Sequence, residues 1–374
     1  DLFMRPRPRS QPRPDGRLRL VFVSDFFYGH SNQRAFEGLI RYIDRSRFKV
    51  IVAHGALSVQ DAVRDRIDGY ASSVVHLSQD IAECVEMLEG LRPDILFYTD
   101  LGMSPFMHIL AQVRIAPLQV TSWGLPYTSG IETIDCYLSS VLTEPAGAQR
   151  HYVEPLHGLS RLPCVYLQEH LVRPVRSREY FFLEDGQFLF GCLQNTIKYH
   201  PDFDWVLEQV AQRCPEARFV LAEDVKTVHT MLLLDRLAQT APTFYSRIHL
   251  VSMMKRDDFI SLCACIDVII DPPYFGSGIS FYESISTGTP TVSLQGGQMR
   301  SRYLAGAYAQ MGVDPAPVAV DLEGLVQCCV DLYANPNRLA DLRAQIQARK
   351  SMLYDDRVAV REIEAVLIKK ALAS

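Results

Sequence analysis

The chain has 374 residues, 48 % hydrophobic and 22 % charged, with a formal net charge of −5 at pH 7. That length suits two domains with separate cores, and the charge excludes nucleic-acid binding driven by overall basicity. No apolar run reaches membrane-spanning length and no signal-peptide pattern occurs, so the expectation is a cytoplasmic protein without a membrane span.

In chain order, the basic, Pro-rich stretch 1–16 reads as a linker, because it lacks the apolar core of a secretion signal. Short apolar runs of β-type then alternate with amphipathic segments: "RLRLVFVSDF", "RAFEGLIRYI", "FKVIVAHG", "VEMLEGL", "PDILFYTD", "LQVTSW" and "DCYLSS". A looser stretch, Glu144 to Glu184, carries no sustained periodicity. The alternation restarts with "FLFGCL", "WVLEQVAQRC", "RFVLA", "TMLLLDRLAQ", "RIHLV", "DDFISLCACI" and "DVIID". Such alternation predicts two parallel α/β sheets with crossover helices. The expected domains are 17–172 and 173–374, with the last helix, "DRVAVREIEAVLIKKAL", packing back on the first. Of the nine cysteines, the closest pairs (Cys263 with Cys265, Cys328 with Cys329) lack zinc spacing. They read as free thiols in apolar helices of a reducing compartment.

Open parallel sheets bind ligands beyond the carboxyl ends of their strands. One such end is "DPPYFGSGISFYESISTGTPTVSL", Asp271 to Leu294. Gly276 and Gly278 let a ligand approach the backbone around Ser277, and a helix starting near Gly278 offers N–H groups to phosphate. On that helix Ser280, Glu283, Ser284 and Thr287 share one face, with Glu283 placed to accept ribose hydroxyls. The stretch is neither a dinucleotide loop nor a Walker A loop, and taken alone it reads as a solvated helix stripe after a turn.

The order strand, Gly/Ser loop, helix with Glu, Gly-Thr-Pro, strand resembles the nucleotide-sugar site of GT-B glycosyltransferases. "FVSDFFYGH", "APLQVTSWGLPYTSGIETIDCYLSS", "LQNTIKYHPD" and "RSRYLAG" extend the resemblance to the O-GlcNAc transferase family, including its bacterial members and the related N-glucosyltransferases. It runs from Arg17 to nearly the C-terminus. It implies a GT-B fold, two Rossmann-like α/β domains facing a cleft, and an inverting transfer of GlcNAc from a UDP-sugar to Ser/Thr of a protein or peptide. No cofactor or metal is expected, the UDP-sugar being a substrate, and an upstream helical-repeat module is implied. Three alternatives stay open: Asn glucosylation, transfer to a glycan, lipid or small molecule, and a non-catalytic nucleotide-sugar-binding scaffold.

The resemblance also distributes roles. Lys198 would contact the donor diphosphate and stabilise charge that grows as UDP leaves. Asn195 would hydrogen-bond the donor, Met253 and Met254 would present backbone to uracil, and Lys255 would lie near the nucleoside. Gly276, Ser277, Gly278, Ser280, Glu283 and Arg302 would complete the donor site. His30 would sit beside the reacting centre, suited to proton transfer or to orienting an acceptor. Asp100 would lie near the acceptor, with Trp123, Pro126, Thr128, Ser129 and Gly130 as cleft wall. Two positions depart from the family: Asp258, where it has a histidine that packs against uracil, and Arg34, near which it has a second histidine. Asp202 and Asp204 in "HPDFDW" are expected as acids at a helix start, not as a metal motif.

Overall fold

The computed structural model describes residues 3, 6–8 and 14–373, so much of the expected linker lies outside the described residues. The chain divides into two units, one formed by Asp1–Leu167 with Tyr354–Ser374 and the other by Gln168–Leu353.

The first unit begins with β1 (Leu18–Ser24), α1 (Ser31–Tyr42), β2 (Phe48–His54), α2 (Ala62–Asp68), β3 (Ser73–His76) and α3 (Ile81–Gly90). It continues with β4 (Ile95–Tyr98), α4 (Pro105–Ala111), β5 (Leu118–Thr121), β6 (Cys136–Ser140) and β7 (Leu156–Leu159). The strands form one sheet in the order β3-β2-β1-β4-β5-β6-β7, with every pairing parallel. A sheet covered on both faces needs continuous apolar strands, and Leu20, Val21, Phe22 and Val23 of β1 are all fully buried. Val21 and Val23 pack with Leu96, Tyr98 and Leu110 on one face. On the other, Phe97 meets Phe22 at 5.2 Å and Phe36 of α1 at 5.8 Å between ring centroids.

The second unit contains β8 (Leu189–Cys192), α5 (Pro201–Arg213), β9 (Arg218–Ala222), α6 (Thr227–Thr240), α7 (Pro242–Tyr245), β10 (Ile248–Val251) and α8 (Arg256–Cys265). It closes with β11 (Val268–Ile270), α9 (Ser280–Ser286), β12 (Thr291–Leu294), α10 (Tyr303–Met311), β13 (Val318–Ala319), α11 (Leu322–Ala334) and α12 (Pro336–Arg349). Its parallel sheet runs β10-β9-β8-β11-β12-β13. Phe190, Phe219 and Phe244 form an aromatic layer on one face, and Leu189, Val220, Cys263 and Ile269 pack on the other.

The chain then returns to the first unit through α13 (Arg357–Ala373). Tyr42 donates to Asp355 Oδ1 at 2.8 Å, the Asp44 amide to Glu364 Oε1 at 2.6 Å, and the Ser160 amide to Glu362 Oε2 at 2.9 Å. The stretch expected to be irregular, Glu144 to Glu184, contributes β7. That strand, "LHGL", sits at the sheet edge against β6, so its sequence carries no buried run. Among the described residues no helix is long and apolar enough to cross a membrane. All nine cysteines are free, with Cys263 and Cys329 buried and Cys265 and Cys328 partly so.

Candidate functional site

In both sheets the first strand lies inside and the order reverses between it and the fourth. Open α/β sheets bind ligands at that reversal, beyond the carboxyl ends of the strands. In the second unit the reversal falls between β8 and β11. After β8, the Asn195 side chain accepts from the Ile197 amide at 3.0 Å and caps a 3-10 turn, Thr196–Lys198. Thr196 Oγ1 anchors the turn on buried Asp224 at 3.0 Å. This fixes the backbone that carries Lys198. The Lys198 ammonium donates to Gln194 Oε1 at 3.0 Å and to the Gly276 carbonyl at 2.9 Å, and lies 4.7 Å from the centroid of the Phe275 ring.

An ammonium has three N–H donors, and among the described residues only these two acceptors meet them. Burial lowers the Lys198 pKa to about 8, opposed by the negative charge of Asp271. Gln194 also donates to Ser280 Oγ at 3.0 Å, joining the two strand ends. Asp271, at the end of β11, is buried and accepts from the Ser277 amide with both oxygens, at 2.8 and 3.1 Å. Burial pushes its pKa up to about 6, held down by Lys198 and the Ser277 bonds. Position 276 must be glycine for this closeness, since a Cβ there would stand 2.3 Å from Asp271 Oδ2. Ser277 Oγ is buried, and its hydroxyl, like its amide, helps to hold the Asp271 pKa down.

The structure thus gathers Lys198, Ser277, Ser280 and Gly276 from the sequence expectation, and adds Gln194 and Asp271. Asn195 is exposed and occupied by its cap. Gly278 has open space where a side chain would begin. The helix starts at Ser280, two residues later than expected, with buried Glu283 in its first turn. The Ser284 and Thr287 hydroxyls turn back to the carbonyls of Phe281 and Ser284 at 3.1 and 2.6 Å. This local bonding is usual for helical Ser and Thr, and it removes both from the expected stripe. Arg302 donates to the Gly296 carbonyl at 3.0 Å.

Beyond β10 lies a cavity of about 590 Å³ lined by Tyr180, Phe181, Val251, Met253, Met254 and Asp258, among others. Its size and apolar walls are those of a small-molecule site. Asp258 pairs with Arg176 at 3.1 Å, and that guanidinium lies 4.4 Å from the centroid of the Tyr180 ring. Lys255 is exposed at the start of α8. Asp202 and Asp204 both fall in the first turn of α5. Asp204 is buried against Arg236 at 2.8 Å, whereas Asp202 accepts from the Tyr274 hydroxyl at 2.5 Å. Among the described residues no three His, Cys, Asp or Glu side chains are grouped to hold a metal ion.

In the first unit the reversal falls between β1 and β4, and two buried carboxylates fill it. Asp100 Oδ2 accepts from the Asp25 amide at 2.9 Å, and Ser104 donates its hydroxyl to Asp25. Burial and the nearby Asp25 charge raise the Asp100 pKa to about 7, against its hydrogen bonds. Ser24 also bonds the Asp100 carboxylate, and among the described residues Thr99 Oγ1 and Asn32 Oδ1 are buried without partners. His30 caps α1, its Nδ1 accepting from the Asn32 amide at 3.1 Å, so the neutral ring carries its proton on Nε2. Burial, then the Arg34 charge, lowers its pKa. Trp123 is buried and donates to Ser139 at 3.3 Å, and Pro126 is also buried. Thr128 and Ser129 both turn to buried Glu154, Thr128 at 2.5 Å, and exposed Gly130 takes a φ of 70°.

No protein-family model matches the chain. A probable UDP-N-acetylglucosamine–peptide N-acetylglucosaminyltransferase, SPINDLY of Solanum lycopersicum, is 24 % identical over 368 residues, covering 94 % of this chain and 38 % of that protein. The Arabidopsis thaliana protein SEC, described by the same activity, is 21 % identical over 368 residues, covering 94 % and 37 %. The chain therefore spans well under half the length of these curated relatives. Among solved structures, a mutant O-GlcNAc transferase of Thermobaculum terrenum superposes with a TM-score of 0.86 at 24 % identity, over 97 % of this chain and 69 % of that one. Anabaena HepE, in complex with UDP and glucose, gives 0.60 at 12 % identity, over 94 % and 100 %. The fold is that of the GT-B glycosyltransferases, and the chain is a homologue of the catalytic region of the O-GlcNAc-transferase-type proteins.

Proposed function

We propose that this homologue of the O-GlcNAc-transferase catalytic region moves GlcNAc from UDP-GlcNAc to Ser or Thr of a protein acceptor, with the donor held by the second unit. The observation that carries the reading is the group at the end of β8 and β11. Lys198 has a donor to spare there, beside the buried Ser277 and Asp271. That spare donor suits an anionic oxygen, and the cavity past Met253 and Met254 suits a flat base with polar edges.

In this reading the ammonium acts by differential charge. The diphosphate is already anionic when bound, but its bridging oxygen gains charge as the glycosidic bond breaks. A fixed cation near that oxygen stabilises the transition state more than the bound donor. Gln194 and the Gly276 carbonyl orient the ammonium, so little reorganisation is needed at the moment of reaction. Glu283 would accept the ribose hydroxyls from its place in α9. In the first unit, His30 with Nδ1 occupied by the Asn32 amide has only Nε2 to offer an acceptor.

The test is UDP titration calorimetry with and without a chelator, followed by mass spectrometry of a protein co-expressed with this chain. UDP binding that survives the chelator, with one N-acetylhexosamine mass added at Ser or Thr, is the expected result. A hexose on Asn would turn the reading to the N-glucosyltransferase branch, and no UDP binding at all would overturn it.

A further inference from the structure

The acid that ends β11 has no role in the reading above, yet it is the most buried charged group of the donor site. We infer that Asp271 is a positioning residue: its carboxylate ties the Gly276–Ser277 loop to the sheet and supplies the counter-charge of Lys198. The inference rests on the donor-site reading for its catalytic meaning, but not for its test.

Three observations converge on it. Both carboxylate oxygens accept from one amide, that of Ser277, at 2.8 and 3.1 Å. Gly276 packs so closely that any Cβ would clash with Oδ2, and its carbonyl accepts from Lys198 at 2.9 Å. Carboxylate, loop and ammonium therefore form one chain of contacts. The titratable groups acting on Asp271 are Lys198, Tyr199 and Tyr308. Both phenols donate to backbone carbonyls, of Cys192 at 2.7 Å and Thr291 at 3.0 Å, and burial keeps both neutral. Lys198 is the one cation in that set.

A purely structural role would not need the charge. Asparagine has the same shape and can still accept from the Ser277 amide, without the cost of burying a carboxylate. The negative charge has a use only if something positive must stay positive. Burial works against the Lys198 ammonium, and the Asp271 charge works for it. Without the acid, more of the lysine would be neutral at physiological pH, and a neutral amine cannot stabilise a leaving diphosphate.

The deciding experiment follows the Lys198 side chain by NMR in ¹³C-lysine protein, its signal assigned by its disappearance in Lys198→Arg. In the wild type the midpoint is expected at about 8. In Asp271→Asn it should fall by on the order of one pH unit. An unchanged midpoint in folded Asp271→Asn would overturn the inference. Should that variant not fold, Lys198→Met gives the reciprocal measurement. The Asp271 carboxyl should then titrate above its wild-type value of about 6, and an unmoved carboxyl would be equally fatal. UDP calorimetry on the same proteins separates the two readings. If Lys198→Ala leaves UDP binding unaltered, the donor site is misplaced, while the NMR midpoints still decide what Asp271 does to Lys198.

Discussion

The first unit reverses its strand order between β1 and β4, the second between β8 and β11, and in each the first strand sits inside a parallel sheet. The backbone solution is the same, but the chemistry at the two strand ends differs. Asp25 and Asp100 meet in the first crevice, held by an amide and a hydroxyl, with Thr99 Oγ1 and Asn32 Oδ1 left over among the described residues. Lys198 and Asp271 occupy the second, with the loop at Gly276 and Ser277 between them. Two like charges in a dry place drive one toward the neutral form, whereas a cation beside an acid keeps both closer to ionised. Burial raises both acids, Asp100 to about 7 with the Asp25 charge adding to the rise, and Asp271 to about 6 with the Lys198 charge opposing it. A shared fold thus sets where a ligand goes, and the residues after the strands set its charge.

The sharpest way to break this comparison is to remove the cation. Lys198→Ala should lower turnover by about 10²–10³ with a smaller loss of UDP affinity, and Lys198→Arg should rescue poorly, its planar head being unlike a compact ammonium. Near-normal turnover in the alanine variant, measured with one acceptor, would remove the second crevice from the chemistry. The wild type carries a pH signature of the same group. Lys198 is charged below about 8 and neutral above, so UDP affinity should fall as pH rises through that value. The limb should vanish in Lys198→Arg, whose guanidinium stays charged.

A next, smaller effect concerns the ribose. Glu283→Ala should weaken UDP binding by about 1.5–3 kcal/mol, the size of a hydrogen bond to a charged group. Calorimetry checks this, with a thermal melt to show that the buried position still folds. Unaltered affinity in a folded variant would leave α9 outside the site.

The first unit can be disturbed without touching the second. A Cβ at Gly124 would stand 1.7 Å from the Thr99 carbonyl, so Gly124→Ala must shift the backbone above β4. Overpacking of this kind costs about 1–3 kcal/mol. Chemical denaturation should show it, while UDP affinity stays as it was. If UDP affinity fell in step with stability, the two crevices would not be independent.

The finest test addresses the two carboxylates. Asp100 has a folded pKa raised above its unfolded value, so its stability contribution is complete at low pH and is lost as pH rises toward about 7. Asp100→Asn has no such charge to bury. Its melting temperature relative to wild type should therefore be more favourable at pH 8 than at pH 5. A difference independent of pH would mean that Asp100 is not the group that titrates there.

Much of this architecture is written in local pattern. Runs such as "RLRLVFVSDF" and "DVIID" read as strands of a sheet covered on both faces, because they are short, rich in β-branched residues and apolar on both sides. Lys198 and Ser280 were visible for the same reason: each follows a buried strand, and ligands gather there. Three features were not visible. β7 is an edge strand with the bland sequence "LHGL", recognisable only by its pairing with β6. Gln194 and Asn195 are adjacent polar residues, and the 3-10 turn decides that Gln194 meets Lys198 while Asn195 serves as a cap. Ser284 and Thr287 share a face with Glu283 on paper, but their hydroxyls bond back to the helix.

By itself, then, the sequence determined the two series of strands and helices and the loops where ligands would collect, because burial demands periodicity within short windows. The tertiary structure decided which side chains in those loops meet. Asp271 and Lys198 stand far apart in the chain, and what joins them is the parallel pairing of β8 with β11, where the sheet reverses its order. Coulomb interaction and desolvation depend on distance and on what surrounds a charge, and neither is encoded in any stretch of neighbouring residues.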